Sequence, residues 1–169
     1  MPIDRINNIM TNNQSWEEVG LGESGETYLV GEDFLLRNQS RFLIEDSDNY
    51  FQMIEEIGTP SITINQIRNL NSTIGLQQVK TQGTIAALDG QTGTDIFPDY
   101  RGAPVFSAYK PLNINGVNWV IMSEKNEAEV FLPIQELQRT LGLGMLGLFA
   151  TATVYQRSNR ITSRYYGKK

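Results

Sequence analysis

A change of hydrophobic period near Asn126 constrains this fold more than any other sequence feature. Upstream, Val105, Ser107 and Tyr109 alternate with Phe106 and Ala108, and residues 119–123 form a second short apolar run. Alternation at two residues sends side chains to opposite faces of a strand. Downstream, Val130, Ile134, Leu137 and Leu141 follow at steps of four, three and four, the stripe of a helix that packs on a partner helix. Asn126-Glu127-Ala128-Glu129 has the pattern of a capping box, with Asn126 as N-cap and Glu129 returning to its amide. Pro133 sits early in that helix and should kink it or mark a restart. Strands joined by hairpin-length turns and running directly into a helix define an α+β chain on an antiparallel sheet with one buried face.

The first part of the chain is punctuated by Gly20, Gly22 and Gly25. This GxGxxG spacing binds a dinucleotide only between a strand and a following helix, whose N-terminus holds the pyrophosphate. Here the order is reversed. Residues 1–16 read as an amphipathic helix, with Ile3, Ile6, Ile9 and Met10 on one side, and the strand-like run 27–30 follows the glycines. The glycines therefore make a helix-to-strand turn. Residues 31–33 then form a hairpin turn and 34–36 a return strand. Residues 37–48 read as irregular, and the acids Glu45, Asp46 and Asp48 as a solvated loop lacking the glycine and distal glutamate of a calcium site. Residues 49–57 predict a short helix stopped by Gly58, whereas 61–78 fits either a surface helix or a long loop. Residues 80–88 predict a strand, with turns at 89–93, 99–102 and 113–118.

Composition limits the chemistry. The 169 residues include no histidine and no cysteine. That removes disulfides, thiolate nucleophiles, the usual zinc ligands and every Ser-His-Asp arrangement. No catalytic residue, metal site or cofactor is expected. The net charge of −5 conceals an asymmetry: residues 157–169 carry five bases and no acid, leaving nine bases against nineteen acids elsewhere. An acidic body repels nucleic acid. Residues 140–156 are uncharged and rich in Leu, Gly, Ala and Thr. As a helix they span about 25 Å against a hydrocarbon core of about 30 Å, short for a membrane crossing, with a buried core helix as the alternative. The basic segment after them sets the expected orientation, acidic body outside and tail in the cytoplasm of an inner (plasma) membrane protein. Gly142, Gly144 and Gly147 allow helices to approach closely.

Five segments taken in order, GESGETYLVG, LLRNQSRF, ALDGQTGT, DYRGAPVFSAYKPL and NWVIMSEKNEAEVFLPIQEL, resemble the extracytoplasmic Cache (PAS-like) sensors of bacterial transmembrane receptors. The similarity is to the membrane-proximal half of double-Cache sensors, as in receptor-type adenylate/guanylate cyclases, and covers residues 1–141. It implies a PAS-like antiparallel sheet with a long N-terminal helix and a C-terminal helix continuing into a membrane span. The expected divisions are an N-terminal helix (1–19), the sensor (20–125), a juxtamembrane signalling helix (126–139), the span (140–156) and a basic tail (157–169). Receptors of this kind carry further segments on both sides, so the chain is expected to be a truncation, a fragmentary reading frame or a free-standing module. The family implies a homodimer through the helices and a cleft for a small molecule. Arg37 and Arg41, whose planar forks suit a carboxylate or amino-acid-like ligand, are candidate contacts, with Asp99, Tyr100 and Arg101 at a turn and Tyr28, Tyr109 and Trp119 on strands. For each there is a structural alternative: ion pairing of the arginines with Glu45 or Asp46, a turn-fixing pair at 99–101, core packing of the aromatics. In double-Cache sensors the distal module usually holds the ligand, which would leave this half as a relay. An interaction module without a ligand is the other reading.

Overall fold

A computed structural model of the chain describes residues 3–166. Its strands β1 (Glu26–Gly31), β2 (Gly93–Pro98), β3 (Pro104–Pro111) and β4 (Trp119–Asn126) form one antiparallel sheet in the order β1-β4-β3-β2. Short turns join β2, β3 and β4, the first through Gly102 and the second through Gly116, both at positive φ. The first and last strands are therefore neighbours, and the long connection from β1 to β2 carries four helices: α2 (Arg41–Glu45), α3 (Ser47–Glu56), α4 (Ser61–Leu70) and α5 (Gln82–Leu88). Helix α1 (Ile3–Met10) precedes the sheet and α6 (Glu127–Tyr166) follows it.

The period-two pattern does what it predicts. Tyr28 and Val30 on β1, Phe97 on β2, and Val120 and Met122 on β4 are buried in one cluster with Leu43, Tyr50, Ile54, Ile64, Ile67 and Ala87 from the helices. Ile96 and Phe106 point the other way and are exposed. The glycine turn is also as expected, with Gly20 and Gly22 at positive φ between α1 and β1. The return strand at 34–36 is reduced to isolated bridges, Val30 to Leu36 and Leu35 to Gln78.

Several expectations are corrected. The N-terminal helix is short: α1 ends at Met10, because Asn12, Asn13 and Gln14 all take positive φ. The irregular stretch 37–48 contains α2, capped by the Ser40 hydroxyl, and the start of α3, where the Asp46 side chain accepts from the Asn49 amide at 3.1 Å. Asp46 thus caps a helix and does not sit in a solvated loop. The ambiguous stretch 61–78 holds α4. Residues 82–88, expected as a strand, are helical. Thr81 and Thr84 exchange side-chain and amide hydrogen bonds in a capping box, which overrides the β preference of threonine and isoleucine. Gly83 lets this helix lie close on the sheet, since a Cβ there would stand 2.5 Å from the Phe97 ring and 2.7 Å from the Met122 methyl. Strand β2 had no sequence expectation at all.

α6 runs past Pro133 with no restart. The expected span 140–156 lies within it, yet no helix among the described residues is long and apolar enough to cross a membrane. Gly142, Gly144, Gly147 and threonines at 140, 151 and 153 dilute the leucines. Of the basic tail, residues 157–166 belong to α6, and Lys168 and Lys169 lie outside the described residues, as does Met1. The contacts divide the chain into Met1–Val130 and Phe131–Lys169. In the second unit Leu132, Ile134, Leu137 and Leu141 are exposed along α6.

The helical assignment of 82–88 is open to test. Replacing Thr81 by Ala removes the cap and should lower unfolding stability by about 1 kcal/mol, read as a lower urea midpoint at unchanged slope. An unchanged midpoint would show that the cap does not hold α5.

Candidate functional site

Strand alternation places an acid on the buried face of each of two paired strands. Glu26 follows the phase of Tyr28 and Val30, Glu124 that of Val120 and Met122, and the two are register partners across β1 and β4. Each is 3 % exposed. Like charges directly opposite destabilise a ladder, and a buried carboxylate without donors costs far more. Donors therefore converge from separate elements. Glu26 accepts from the Arg41 amide at 2.7 Å and the Tyr100 hydroxyl at 2.8 Å. Glu124 accepts from the Tyr28 hydroxyl at 2.6 Å and the Ser107 hydroxyl at 2.9 Å. The Ser40 and Tyr100 oxygens are 2.8 Å apart, and the Tyr28 and Tyr100 rings meet edge to face at 5.8 Å between centroids.

Burial raises the Glu26 carboxyl, against the pull of its Tyr100 and Arg41 hydrogen bonds. Burial also pushes Glu124 up to about 7, helped by the charges of Asp99 and Glu26 and opposed by hydrogen bonds from Tyr28 and Ser107. The phenols of Tyr28 and Tyr100 are driven well above their usual value by burial and then by the neighbouring glutamates, so both remain neutral donors.

Three residues beyond Glu124 α6 begins, and this junction is tied from both sides. Arg101 in the β2–β3 turn donates from Nε to Asp99 at 2.6 Å and from Nη2 to Asn126 Oδ1 at 2.9 Å, with its guanidinium 3.8 Å from the Phe42 ring centroid. From the other side the glycine loop closes over the first turn of α6. Glu129 accepts from the amides of Glu23 at 3.1 Å and Ser24 at 2.9 Å, and from the Ser24 hydroxyl. The Asn126 amide donates to Ser24 Oγ at 3.0 Å, and Lys125 Nζ lies 3.0 Å from Glu129. Glu129 thus spends its carboxylate across the chain, and the expected capping box does not form. Partial burial works to raise this carboxyl, but the hydrogen bonds from Ser24, Lys125 and the amides outweigh it and hold it at about 2. Gly22 takes positive φ here, and a Cβ on it would press on the Glu129 carboxylate.

Beside the β2–β3 turn lies a cavity of about 570 Å³, lined by Leu35, the α3–α4 connection, residues 76–78, Lys80, Thr81, Pro98, Asp99, Tyr100 and Gly102. Much of its polar lining is already engaged. Tyr100 is spent on Glu26, Gln77 accepts from Tyr50 at 2.7 Å, and Asp99 accepts from Arg101 and Ala103. Thr59, Thr63 and Gln78 make no side-chain hydrogen bond among the described residues, and the Lys80 ammonium stands 5.2 Å from the Phe34 ring centroid.

The expected contact residues do not converge on one site. Asp99 and Tyr100 line the cavity, and Arg101 ties their turn to Asn126. Tyr28 joins the acid network below the sheet. Arg41 pairs with Glu45 at 2.9 Å, stacks 4.8 Å from the Trp16 ring and donates to the Gly25 carbonyl at 2.5 Å, bordering a separate hollow of about 280 Å³. Arg37 pairs with Asp33 at 2.6 Å and lies 5.8 Å from the Trp119 ring. Tyr109 packs on Phe97 and borders a third hollow of about 390 Å³. Sequence reasoning missed Glu26, Glu124, Ser107 and Ser40. The signal was present: an acid in the inward phase of an apolar strand demands donors.

No family model and no curated protein matches the chain. Among solved structures it is similar to the periplasmic sensory domain of the Campylobacter jejuni chemoreceptor Tlp1, with a TM-score of 0.46 and 11 % identity. The similarity covers 78 % of this chain and 37 % of that one, so the chain spans little more than a third of that domain, and no role is carried over from it.

The shifted carboxyls fix how stability varies with pH. Glu124 keeps its proton up to about 7 when folded, against an ordinary value of 4.5, so the folded state binds the extra proton between those values. Its contribution is complete below 4.5 and is lost as pH rises through about 7, a change of about 3 kcal/mol. Asp33 and Glu129 are lowered and act in the opposite sense, their contribution being lost as pH falls below their ordinary values. The thermal midpoint should therefore peak near about pH 5 and decline on both sides. A midpoint that rises steadily from pH 5 to 8 would contradict this assignment.

Proposed function

We propose that the chain is a non-catalytic sensory and relay module, the extracytoplasmic, membrane-proximal half of a bacterial signalling receptor of the double-Cache type. It binds a small molecule in the cavity beside the β2–β3 turn, or passes on a binding event from elsewhere, through β4 into α6. The observation that carries this is an unbroken line of contact. Asp99 and Tyr100 line the cavity, Arg101 between that turn and β4 holds Asn126, and the next residue opens α6. A ligand that displaces the turn re-aims Arg101 and with it the start of the helix. Arg37 and Arg41 are paired with acids, whereas Lys80, over the Phe34 ring at the cavity, has no acid partner among the described residues, which suits a carboxylate or amino-acid-like ligand.

The five Cache-like segments support the same placement. They fall in order on the glycine loop and β1, on the crossing into α2, on the end of α5 with β2, on the β2–β3 turn with β3, and on β4 with the start of α6. Signalling by such a route needs two arrangements of packed helices, and the exposed stripe Ile134, Leu137 and Leu141 fits a homodimer through α6.

A thermal-shift screen of the full chain against amino acids, carboxylates, purines and sugars tests direct binding. A ligand at a hundred times its dissociation constant should add about 2.7 kcal/mol of stability. Thr63→Trp, which fills the cavity from α4, should abolish that shift without unfolding the chain. If no compound shifts the wild type, direct sensing fails and the relay or ligand-free interaction module stands in its place.

A further inference from the structure

The register-paired acids Glu26 and Glu124 belong neither to the cavity lining nor to the contacts that hold α6, yet they lie between the two. Strand β1 supplies Glu26 and Tyr28, β4 supplies Glu124, the β2–β3 turn supplies Asp99, Tyr100 and Arg101, and α3 supplies Tyr50. Ser40, Ser107 and the Arg41 amide add neutral donors. That makes three carboxyl groups and the Arg101 guanidinium, which is already paired with Asp99 at 2.6 Å, while the buried Arg41 guanidinium beside them is spent on Glu45 and the Gly25 carbonyl. With both glutamates ionised, the cluster holds two buried negative charges facing each other, neither with an ion-pair partner among the described residues. With one of them protonated, each acid still meets its two donors and the repulsion is gone.

We propose that this pair is a proton-responsive switch: it takes up one proton as the surroundings acidify, and the β4–α6 junction tightens on uptake and loosens on release. Loosening has a defined place to occur. Glu124 is two residues from Asn126, whose amide and side chain are held by Ser24 and Arg101, and Asp99 connects Arg101 back to the pair. Because β4 carries both Glu124 and Asn126, a small shift of Glu124 away from Glu26 acts first on those contacts. The raised position of both carboxyls is consistent with uptake near neutrality. The inference stands apart from ligand binding and would survive an empty cavity.

The test uses the full chain, with infrared difference spectra of the carboxyl band and hydrogen exchange at the Ser24 and Asn126 amides followed across pH. In the wild type a carboxyl is expected to lose its proton close to neutrality. Exchange at the two amides should accelerate over the same interval by more than about tenfold beyond its intrinsic pH dependence, as one unit of displacement between tight and loose states requires. Glu124→Gln should abolish both changes. Should that variant not fold, Tyr28→Phe removes one donor from Glu124 and should move the infrared midpoint to higher pH. A wild-type midpoint in the ordinary carboxylate range, an exchange step that persists in Glu124→Gln, or an unmoved midpoint in Tyr28→Phe would each overturn the proposal.

Discussion

Two glutamates face each other across the β1–β4 pair, and much of the fold makes that arrangement tolerable. Taking each carboxylate out of water costs several kcal/mol, and only well-placed donors offset it. The donors come from positions far apart in sequence: the start of α2, the β2–β3 turn and β3. The Arg41 amide must reach Glu26, so α2 has to begin against β1. Arg41 itself then spans from Glu45 to the Gly25 carbonyl over the Trp16 ring, which fixes the end of the glycine loop. Apolar burial supplies the bulk of the driving force, but this network specifies which elements meet.

The same geometry explains why the glycine loop matters although a strand, and not a helix N-terminus, follows it. Its amides at Glu23 and Ser24 serve a carboxylate, but one belonging to the protein, Glu129 in the first turn of α6. A loop that could have held an anion instead holds the helix. Together with Arg101 on the opposite side it brackets Asn126, so the first turn of α6 is held by side-chain contacts from both flanks of β4. Contacts of that kind exchange between discrete arrangements more readily than a packed core does.

How much of this was legible follows from the range over which each signal acts. Strands β3 and β4 and the α6 stripe are periodic over many residues and were readable. The turn at Gly58 needed only positive φ. Residues 82–88 misled because threonine and isoleucine favour strands, and their helix rests on a reciprocal bond between Thr81 and Thr84, for which the usual Glu/Gln signature is missing. The early end of α1 rests on three consecutive residues at positive φ, none of them glycine. The candidate site was half legible. Asp99, Tyr100 and Arg101 were chosen as a turn, and they do link cavity to helix. Arg41 pairs with Glu45, the structural alternative, whereas Arg37 pairs with Asp33, a partner outside that alternative. Glu26 and Glu124 escaped because their significance depends on register between strands almost a hundred residues apart.

An apolar pair at positions 26 and 124 would hold β1 to β4 at least as well, since replacing buried charged groups by hydrophobic ones is often neutral or stabilising. What it would lack is a dependence on protonation. That dependence has a consequence for the cavity, because Asp99 lines it and also contributes to the field at Glu124. If occupancy of the cavity favours one position of the turn, it alters the proton affinity of the acid pair. Linkage then requires protonation to change the affinity of the cavity for that ligand by the same factor. Ligand and proton would act on α6 through one turn, and neither effect could be altered by mutating Asp99 or Arg101 without altering the other.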